Sequence, residues 1–378
     1  MDKIIDLSLP EKCRIFAVSD IHTHWQLFDR LLKKAKYDPQ NDYLVIVGDI
    51  LEHGSDNIKT LEYVKALCDK SDKAILLMGN NDIMCSRMAY HYEFKRFQQQ
   101  FYRNEHNTFR QMANTLGYVD CWEGNWLEIR EKVVEKYGEL LSFIRELPTC
   151  LETEKYVFVH AGLENRPDWR NTDDIYAITV PWFLRKENPT GKQLVFGHYP
   201  TYNYKRSNVT NLPIIDSKKK MICIDGGMTI KKACQMNLFI IDKCGENYSH
   251  RIIWDTDMPK KTVLKDFSCD MKPVYIDWEK QDITIIEKNG YMTKVRDEYS
   301  GGEGLIPDRE IYFFDEKPHV YQFLSSFPAV RKGERVSVFD EDETMSLVIS
   351  ENATVGWLPS DIIAVSYTHL RAHETAAN

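Results

Sequence analysis

The sequence predicts a layered α/β domain followed by a smaller all-β region, and three observations carry that reading. Five short apolar runs of strand length each end on a polar residue with a lone pair to offer. Helical spacings of apolar residues alternate with the first of these runs. Beyond about residue 273 the helical spacing gives way to short strands separated by turn residues.

The runs come in order. Ile15-Phe16-Ala17-Val18 leads to Asp20-Ile21-His22, and Leu44-Val45-Ile46-Val47 leads to Gly48-Asp49. Ile75-Leu76-Leu77-Met78 leads to Gly79-Asn80, Tyr156-Val157-Phe158-Val159 to His160, and Leu194-Val195-Phe196 to Gly197-His198. Phe28, Leu31, Leu32 and Ala35 recur at helical spacing after the first run; Ile58, Leu61, Val64, Leu67 and Cys68 do so after the second. Alternation of this kind predicts largely parallel strands, and in open α/β sheets ligands bind beyond the carboxyl ends of strands. Residues 83–147 are polar, rich in Tyr, Phe, Arg and Glu, and predict a helical insertion or cap beside the site, ended by Pro148. Met221-Ile222-Cys223-Ile224, followed by Asp225-Gly226-Gly227, and Leu238-Phe239-Ile240-Ile241 read as closing strands of a first domain, 1–255.

The stretch 256–272 is rich in Asp, Lys and Pro and reads as a linker. After it an internal repeat is visible at an offset of about 53 residues. Ile283-Thr284-Ile285-Ile286 matches Val336-Ser337-Val338-Phe339, Met292 to Val295 matches Met345 to Val348, and Gly304 to Asp308 matches Gly356 to Ser360. The repeated unit resembles the Src-homology-3-like small β-barrel, which implies two tandem units, 273–315 and 316–365. Barrels of that shape bind extended peptides or polymers in aromatic grooves, and Tyr275, Trp278, Tyr312 and Trp357 are the candidates, with barrel core as the competing role for each. Residues 366–378 match nothing before them and read as a non-native tail, so His369 and His373 are set aside.

Composition narrows the function classes. Of 378 residues, 43% are hydrophobic and 28% charged, as in an ordinary globular protein. A net charge of -8 argues against a nucleic-acid binder working by bulk electrostatics, and the clusters Lys218 to Lys220 and Lys260-Lys261 read as solvated loops. Nine cysteines without a Cys-x-x-Cys pair fit neither a disulfide framework nor a zinc site and point to a reducing, cytoplasmic setting. No secretory pattern opens the chain and no run approaches the roughly 18 apolar residues that span a membrane, so no membrane partner is expected.

Six strand-end donors, three oxygen-type and three imidazole, describe a site for two metals. Two cations about 3.5–4 Å apart neutralise phosphoryl charge and make hydroxide available near neutral pH. A mixed nitrogen and oxygen set without thiolate suits manganese, iron or zinc better than calcium. Asp20-x-His22, Gly48-Asp49-x-x-x-x-Gly54, Gly79-Asn80, His160-Ala161-Gly162 and Gly197-His198-Tyr199-Pro200-Thr201, with Ile224-Asp225-Gly226-Gly227, resemble the metallophosphoesterase (calcineurin-like) superfamily over about residues 12–243. The nearer branch is that of the bacterial serine/threonine protein phosphatases and their relatives that hydrolyse bis-nucleosyl tetraphosphates. The resemblance implies a sandwich of two mixed sheets flanked by helices, which modifies the purely parallel expectation. It also implies that Asp20 and His22 hold one metal, that Asp49 bridges, and that Asn80, His160 and His198 hold the second. Manganese is the first expectation for both ions. His91, His106, His250 and His319 lack strand-end context and read as surface or loop histidines.

The chain departs from the family at two motifs. Relatives carry Gly-Asn-His-Asp/Glu at the third, where the His donates a proton to the leaving oxygen and the carboxylate orients it. Here the residues are Gly79-Asn80-Asn81-Asp82, and an asparagine amide is no proton donor of that kind. Losing a positioned acid removes about 10²–10⁴ in rate. The second motif ends in Glu52-His53-Gly54 in place of Asp-Arg-Gly, so His53 becomes a candidate for phosphate contact or for the missing proton, as does His24. Arg185, after Trp182-Phe183-Leu184, lies one register from where relatives place a phosphate-binding arginine, with an ordinary surface role as the alternative. The leading expectation is a metal-dependent phosphoprotein phosphatase acting on a phosphoprotein or a phosphorylated small molecule. The enzymatic alternative is a hydrolase of dinucleoside polyphosphates or other nucleotides, with a base-stacking pocket from Tyr90, Tyr92 and Phe94. The third reading is a weakly active or inactive metal-binding interaction protein.

Overall fold

The computed structural model describes residues 3–90, 104–119, 125–204 and 209–364. His91, Tyr92, Phe94 and the 366–378 tail lie outside the described residues. The chain forms two units: Met1–Thr201 with Leu212–Asp255, and Tyr202–Asn211 with Thr256–Asn378.

In the first unit the strands are β1 (Ile4–Asp6), β2 (Lys12–Val18), β3 (Tyr43–Ile46), β4 (Ala74–Leu76), β5 (Cys150–Glu152), β6 (Tyr156–Val159), β7 (Gln193–Phe196), β8 (Ile214–Asp216), β9 (Met221–Cys223), β10 (Met236–Cys244) and β11 (Asn247–Asp255). They form two sheets, in the orders β11-β10-β2-β3-β4 and β1-β5-β6-β7-β9-β8. Both are mixed. β2, β3 and β4 run parallel, as do β6, β7 and β9, whereas β10, β11, β5 and β8 bring antiparallel pairings. This is the two-sheet α/β fold that the resemblance implies, and it replaces the purely parallel expectation.

Why the strands read as unbroken apolar runs is plain from their faces. Ile15 and Ala17 of β2, with Val45 and Val47, pack against Phe158, Val195 and Ile222 of the other sheet. Their neighbours Phe16, Val18, Leu44 and Ile46 point the other way, into a helical layer. On the far side of the second sheet, Val157, Val159, Leu194 and Phe196 are covered by Trp169, Ala177 and Phe183. Each of these central strands therefore buries both faces, and alternation disappears from its sequence.

The helical layer is α1 (Trp25–Lys34), α2 (Asn57–Lys70), α3 (Asn80–Tyr90), α4 (Thr108–Asn114) and α5 (Trp126–Arg145), with a short α6 (Asp174–Thr179) on the opposite side. Asn107 caps α4 by accepting the Arg110 N–H at 3.0 Å, and Asp173 caps α6 by accepting the Ile175 and Tyr176 N–H groups. The described part of 83–147 is helical and packs into this layer. Met88, Phe109, Met112, Trp126, Ile129, Val133, Leu141 and Ile144 are buried in the same cluster as Phe28 and Leu31.

The second unit is all β: β12 (Lys260–Thr262), β13 (Val274–Ile276), β14 (Ile283–Asn289), β15 (Met292–Asp297), β16 (Glu303–Pro307), β17 (Ile311–Phe314), β18 (Lys317–Val320), β19 (Phe323–Ser325), β20 (Arg335–Glu341), β21 (Met345–Ile349) and β22 (Val355–Pro359). Two antiparallel meanders, β14-β15-β16 and β20-β21-β22, repeat each other closely. The first strand of each carries a register shift, between Ile285 and Glu287 and between Val338 and Asp340. Each meander ends in a proline followed by a single 3₁₀ turn, Asp308–Glu310 and Ser360–Ile362. The stretch 256–272, read as a linker, carries β12, which pairs with β20. Tyr275 and Trp357 are buried, and Trp357 stacks on Phe323 at 5.5 Å, so these two serve the core and not a groove; Trp278 and Tyr312 are exposed. Among the described residues the cysteines are free thiols, and no helix is long and apolar enough to cross a membrane.

Candidate metal centre

The ends of β2, β3, β6 and β7 converge through backbone bonds between their terminal loops. Asp20 N–H donates to Gly48 C=O, His22 N–H to Asp49 C=O, and Gly197 N–H to His160 C=O. His198 N–H donates to Asp20 Oδ2 at 3.0 Å, tying one sheet to the other. Asp20, His22, Asp49 and His198 all take positive φ, between 42° and 66°. Non-glycine residues rarely adopt that conformation, and where they do they cluster at functional sites. Two glycines make room. A β-carbon at Gly79 would lie 2.2 Å from the Asp49 amide and carboxylate, and one at Gly197 would lie 2.2 Å from Asp20 Oδ2.

Two triads result and they share Asp49. One ligand atom each from Asp49, His160 and His198, and from Asp20, His22 and Asp49, lie within 4.8 Å of one another. Asn80 completes the first set, its Oδ1 3.1 Å from His160 Nε2. His160 Nε2 is 3.4 Å from Asp49 Oδ2, and His22 Nε2 is 3.9 Å from Asp20 Oδ1. Each imidazole is oriented through its other nitrogen. His22 Nδ1 lies 3.0 Å from Leu51 C=O, His160 Nδ1 lies 2.9 Å from Val47 C=O, and His198 bonds the Thr179 backbone. A carbonyl accepts only, so each of these nitrogens carries the hydrogen and the remaining lone pair faces the cluster, as metal-binding histidines require. With Asp20, His22, Asp49 and His160 buried and Asn80 and His198 half-buried, three imidazoles, two carboxylates and an amide oxygen fit two borderline divalent cations.

Electrostatics agree. Burial holds His22 and His198 down at about 4, so both are neutral donors. Burial alone would lower His160 and raise Asp49, but their pairing wins: it lifts the imidazole to about 10 and holds the carboxyl below its ordinary range. Burial, with Asp225 and Asp49 nearby, pushes Asp20 well above the carboxylate range. Two carboxylates and three imidazoles gathered within reach of one another make a candidate site for cations.

The remaining sequence candidates have distinct surroundings. Asn81 donates its N–H to Asp49 Oδ1 at 2.9 Å and its Nδ2–H to Asp49 Oδ2 at 2.7 Å, gripping both oxygens of the shared carboxylate. Asp82, expected to orient a proton donor, is turned to the backbone instead. It is fully buried and accepts N–H groups of Asp49, Ile50, Leu51 and Gly79 at 2.8–3.2 Å, which holds the second-motif loop in shape. His53 is exposed, with its ring edge-on to His22 at 4.9 Å; desolvation holds it below its ordinary value. His24 is half-buried just before α1 and belongs to neither triad. Arg185 is exposed, its guanidinium 3.5 Å over the Trp182 ring. Tyr90 lies under Arg145 and reaches Ser142 at 3.5 Å, within the helical layer.

Two residues carry more than their motifs announced. Asp225 is buried; its Oδ1 accepts the Gly227 N–H at 2.7 Å, its Oδ2 has no partner among the described residues, and burial pushes its carboxyl up to about 7. Its place at the end of β9, before two glycines, was the available signal. Glu52 accepts from Thr108 N–H, Thr108 Oγ1–H and Asn104 Nδ2–H at 2.7–2.8 Å, coupling the second motif to α4.

Comparison with known proteins matches this chain to a family. A symmetrical bis(5'-nucleosyl)-tetraphosphatase from Aromatoleum aromaticum is 28% identical over 155 residues, 41% of this chain and 45% of the relative. One from Aeromonas salmonicida is 41% identical over 66 residues, 18% of this chain and 23% of that protein. The matched stretches thus span under half the length of these curated relatives. A solved protein serine/threonine phosphatase from Saccharomyces cerevisiae is 10% identical, covering 68% of this chain and 85% of its own, with a TM-score of 0.42. The profile of the calcineurin-like phosphoesterases matches residues 13–230, and the chain belongs to that family.

Proposed function

We propose that the first unit hydrolyses the phosphoric anhydride of dinucleoside polyphosphates. Asp20, His22 and Asp49 would hold one divalent cation and Asp49, Asn80, His160 and His198 the other, with manganese as the first expectation. When bound, two such ions neutralise phosphoryl charge and acidify water near neutral pH. The observation that carries the substrate class is Asn81. Where relatives place a proton donor, this side chain is occupied in gripping Asp49. A serine alkoxide leaves poorly without a proton, whereas a nucleoside phosphate is a weak base and leaves without one. The names of the curated relatives favour the same class over the phosphoprotein reading.

The protein's own residues then divide the work. His22 and His198 stay neutral, each imidazole is aimed through its other nitrogen, Asn81 and the Gly79 gap hold Asp49 in one pose, and Asp82 holds the loop under it in shape. One observation supports a phosphoester substrate instead: His53 is exposed with its ring edge-on to His22, and in that reading it would supply the proton. For the second unit we infer two Src-homology-3-like repeats, 273–315 and 316–365, supported by the repeated meanders.

A side-by-side assay with added Mn separates the readings. Diadenosine tetraphosphate should turn over at least about tenfold faster than a phosphoserine peptide, and Asp49→Asn should abolish both activities. Faster release from the peptide would return the protein to the phosphoprotein class. Turnover unaffected by Asp49→Asn would refute the metal site.

A further inference from the structure

The loop between α6 and β7 carries Pro181-Trp182-Phe183-Leu184-Arg185, and Phe183 bolts it to the metal-site strands. Phe183 is 1% exposed and packs edge-on against Phe196 at 5.2 Å. Its ring fills the space beside Gly162, where a β-carbon would come within 2.3 Å. The loop is thereby fixed to the ends of β6 and β7, the strands that deliver His160 and His198.

The residue before that anchor is half-buried. Trp182 has φ 57° and ψ 36°, a left-handed conformation that a bulky residue adopts only under constraint. Its half-buried indole lies 4.3 Å, centroid to centroid, from the half-buried ring of Tyr199, which directly follows His198. Arg185 lays its exposed guanidinium over the same indole at 3.5 Å. No carboxylate lies within ion-pair reach of it among the described residues. Three flat groups, two aromatic and one cationic, thus cluster beside a candidate metal ligand, with the Trp182 and Tyr199 rings tilted 48° to each other and the guanidinium over the indole face.

We propose that Trp182, Tyr199 and Arg185 form the subsite for a nucleobase of the substrate. Aromatic faces and the guanidinium plane both stack on bases, and rigid placement beside the reacting phosphates lowers the ordering cost of binding. The subsite rests on the nucleotide reading above and adds to it a group that tells a nucleotide from a bare polyphosphate. Of the aromatic pocket expected from Tyr90, Tyr92 and Phe94, Tyr90 lies in the helical layer and the other two lie outside the described residues.

The test is equilibrium titration of the Mn-loaded full chain with ADP and, separately, with pyrophosphate. Trp182→Ala should lower the preference for ADP over pyrophosphate about tenfold, and Trp182→Phe should keep most of it. Equal weakening toward both ligands, or an unchanged preference, would overturn the subsite. The readout needs no turnover, so it separates two failures. A wild type that binds ADP through Trp182 but leaves diadenosine tetraphosphate intact retains the subsite and loses the proposed substrate.

Discussion

Asn81, where relatives carry a histidine, is engaged through its side chain with a candidate metal ligand. Both of its hydrogen-bond donors go to the Asp49 carboxylate, at 2.9 and 2.7 Å. A carboxylate shared by two cations must keep both oxygens aimed, and groups that orient a ligand are worth about 10–100-fold in metal affinity. Asn81→Ala should therefore raise the Mn concentration for half-maximal activity by about that factor, with much of the rate recovered at saturating Mn. A Mn titration that overlays wild type would remove Asn81 from this role. The sequence alone showed that the proton donor was missing but not what its replacement does, because that depends on where Asp49 lies in space. The six candidate donors stood out in the sequence for the opposite reason. Each sits at the end of an apolar run, so local pattern and chemistry coincide. Asp82 misled, since a carboxylate in an active-site motif invites a catalytic role and only the geometry reveals four backbone N–H groups around it.

At the scale of elements, short motifs carry the strands and tertiary contacts carry the couplings. The repeat of about 53 residues was readable because the two meanders share turn chemistry and a bulge at the same place. Mixed strand direction was not readable from periodicity, because strands with two covered faces look alike whichever way they run. The bond between the second motif and α4 was equally hidden. Glu52 and Thr108 are distant in sequence, yet the Glu52 carboxylate is held by Thr108 and Asn104 in a buried pocket. Burial pushes its carboxyl from the ordinary 4.5 up to about 7. Below pH about 4.5 both folded and unfolded chains carry the proton. As pH rises further the unfolded chain ionises first, so stability falls through this interval, by up to about 3 kcal/mol once pH passes 7. Glu52→Gln removes the titration and keeps an acceptor for Thr108. Its stability relative to wild type, read from urea unfolding, should improve by that order between pH 5 and pH 8. A difference that stays constant with pH would mean that Glu52 is ionised throughout.

For the whole molecule, the division into units does not follow a single cut in the chain. Residues 1–255 read as one domain in the sequence because the strand and helix patterns run through them, but Tyr202–Asn211 belongs to the second unit. Its residues are integral there. The Val209 carbonyl accepts the Val355 N–H at 2.8 Å, Thr210 bridges to Thr354, and Asn203 Oδ1 accepts from Gln322 Nε2 at 2.8 Å. Tyr202, 8% exposed, rests edge-on against Tyr275 at 6.1 Å. A segment with such polar and apolar commitments loses its partners if the second unit is removed, and unpaired polar backbone together with a bared aromatic ring favours association. Deleting residues 256–378 should thus yield a chain that aggregates or binds a hydrophobic dye, even though every candidate metal donor remains. Replacing 202–211 in the same deletion with a short Gly/Ser spacer should restore a monomeric, Mn-dependent hydrolase. If the simple deletion is already monomeric and as active as the full chain, the segment's bonds to the second unit are dispensable. If the spacer version stays inactive while folded, the second unit contributes to turnover itself and not only to shelter for this segment.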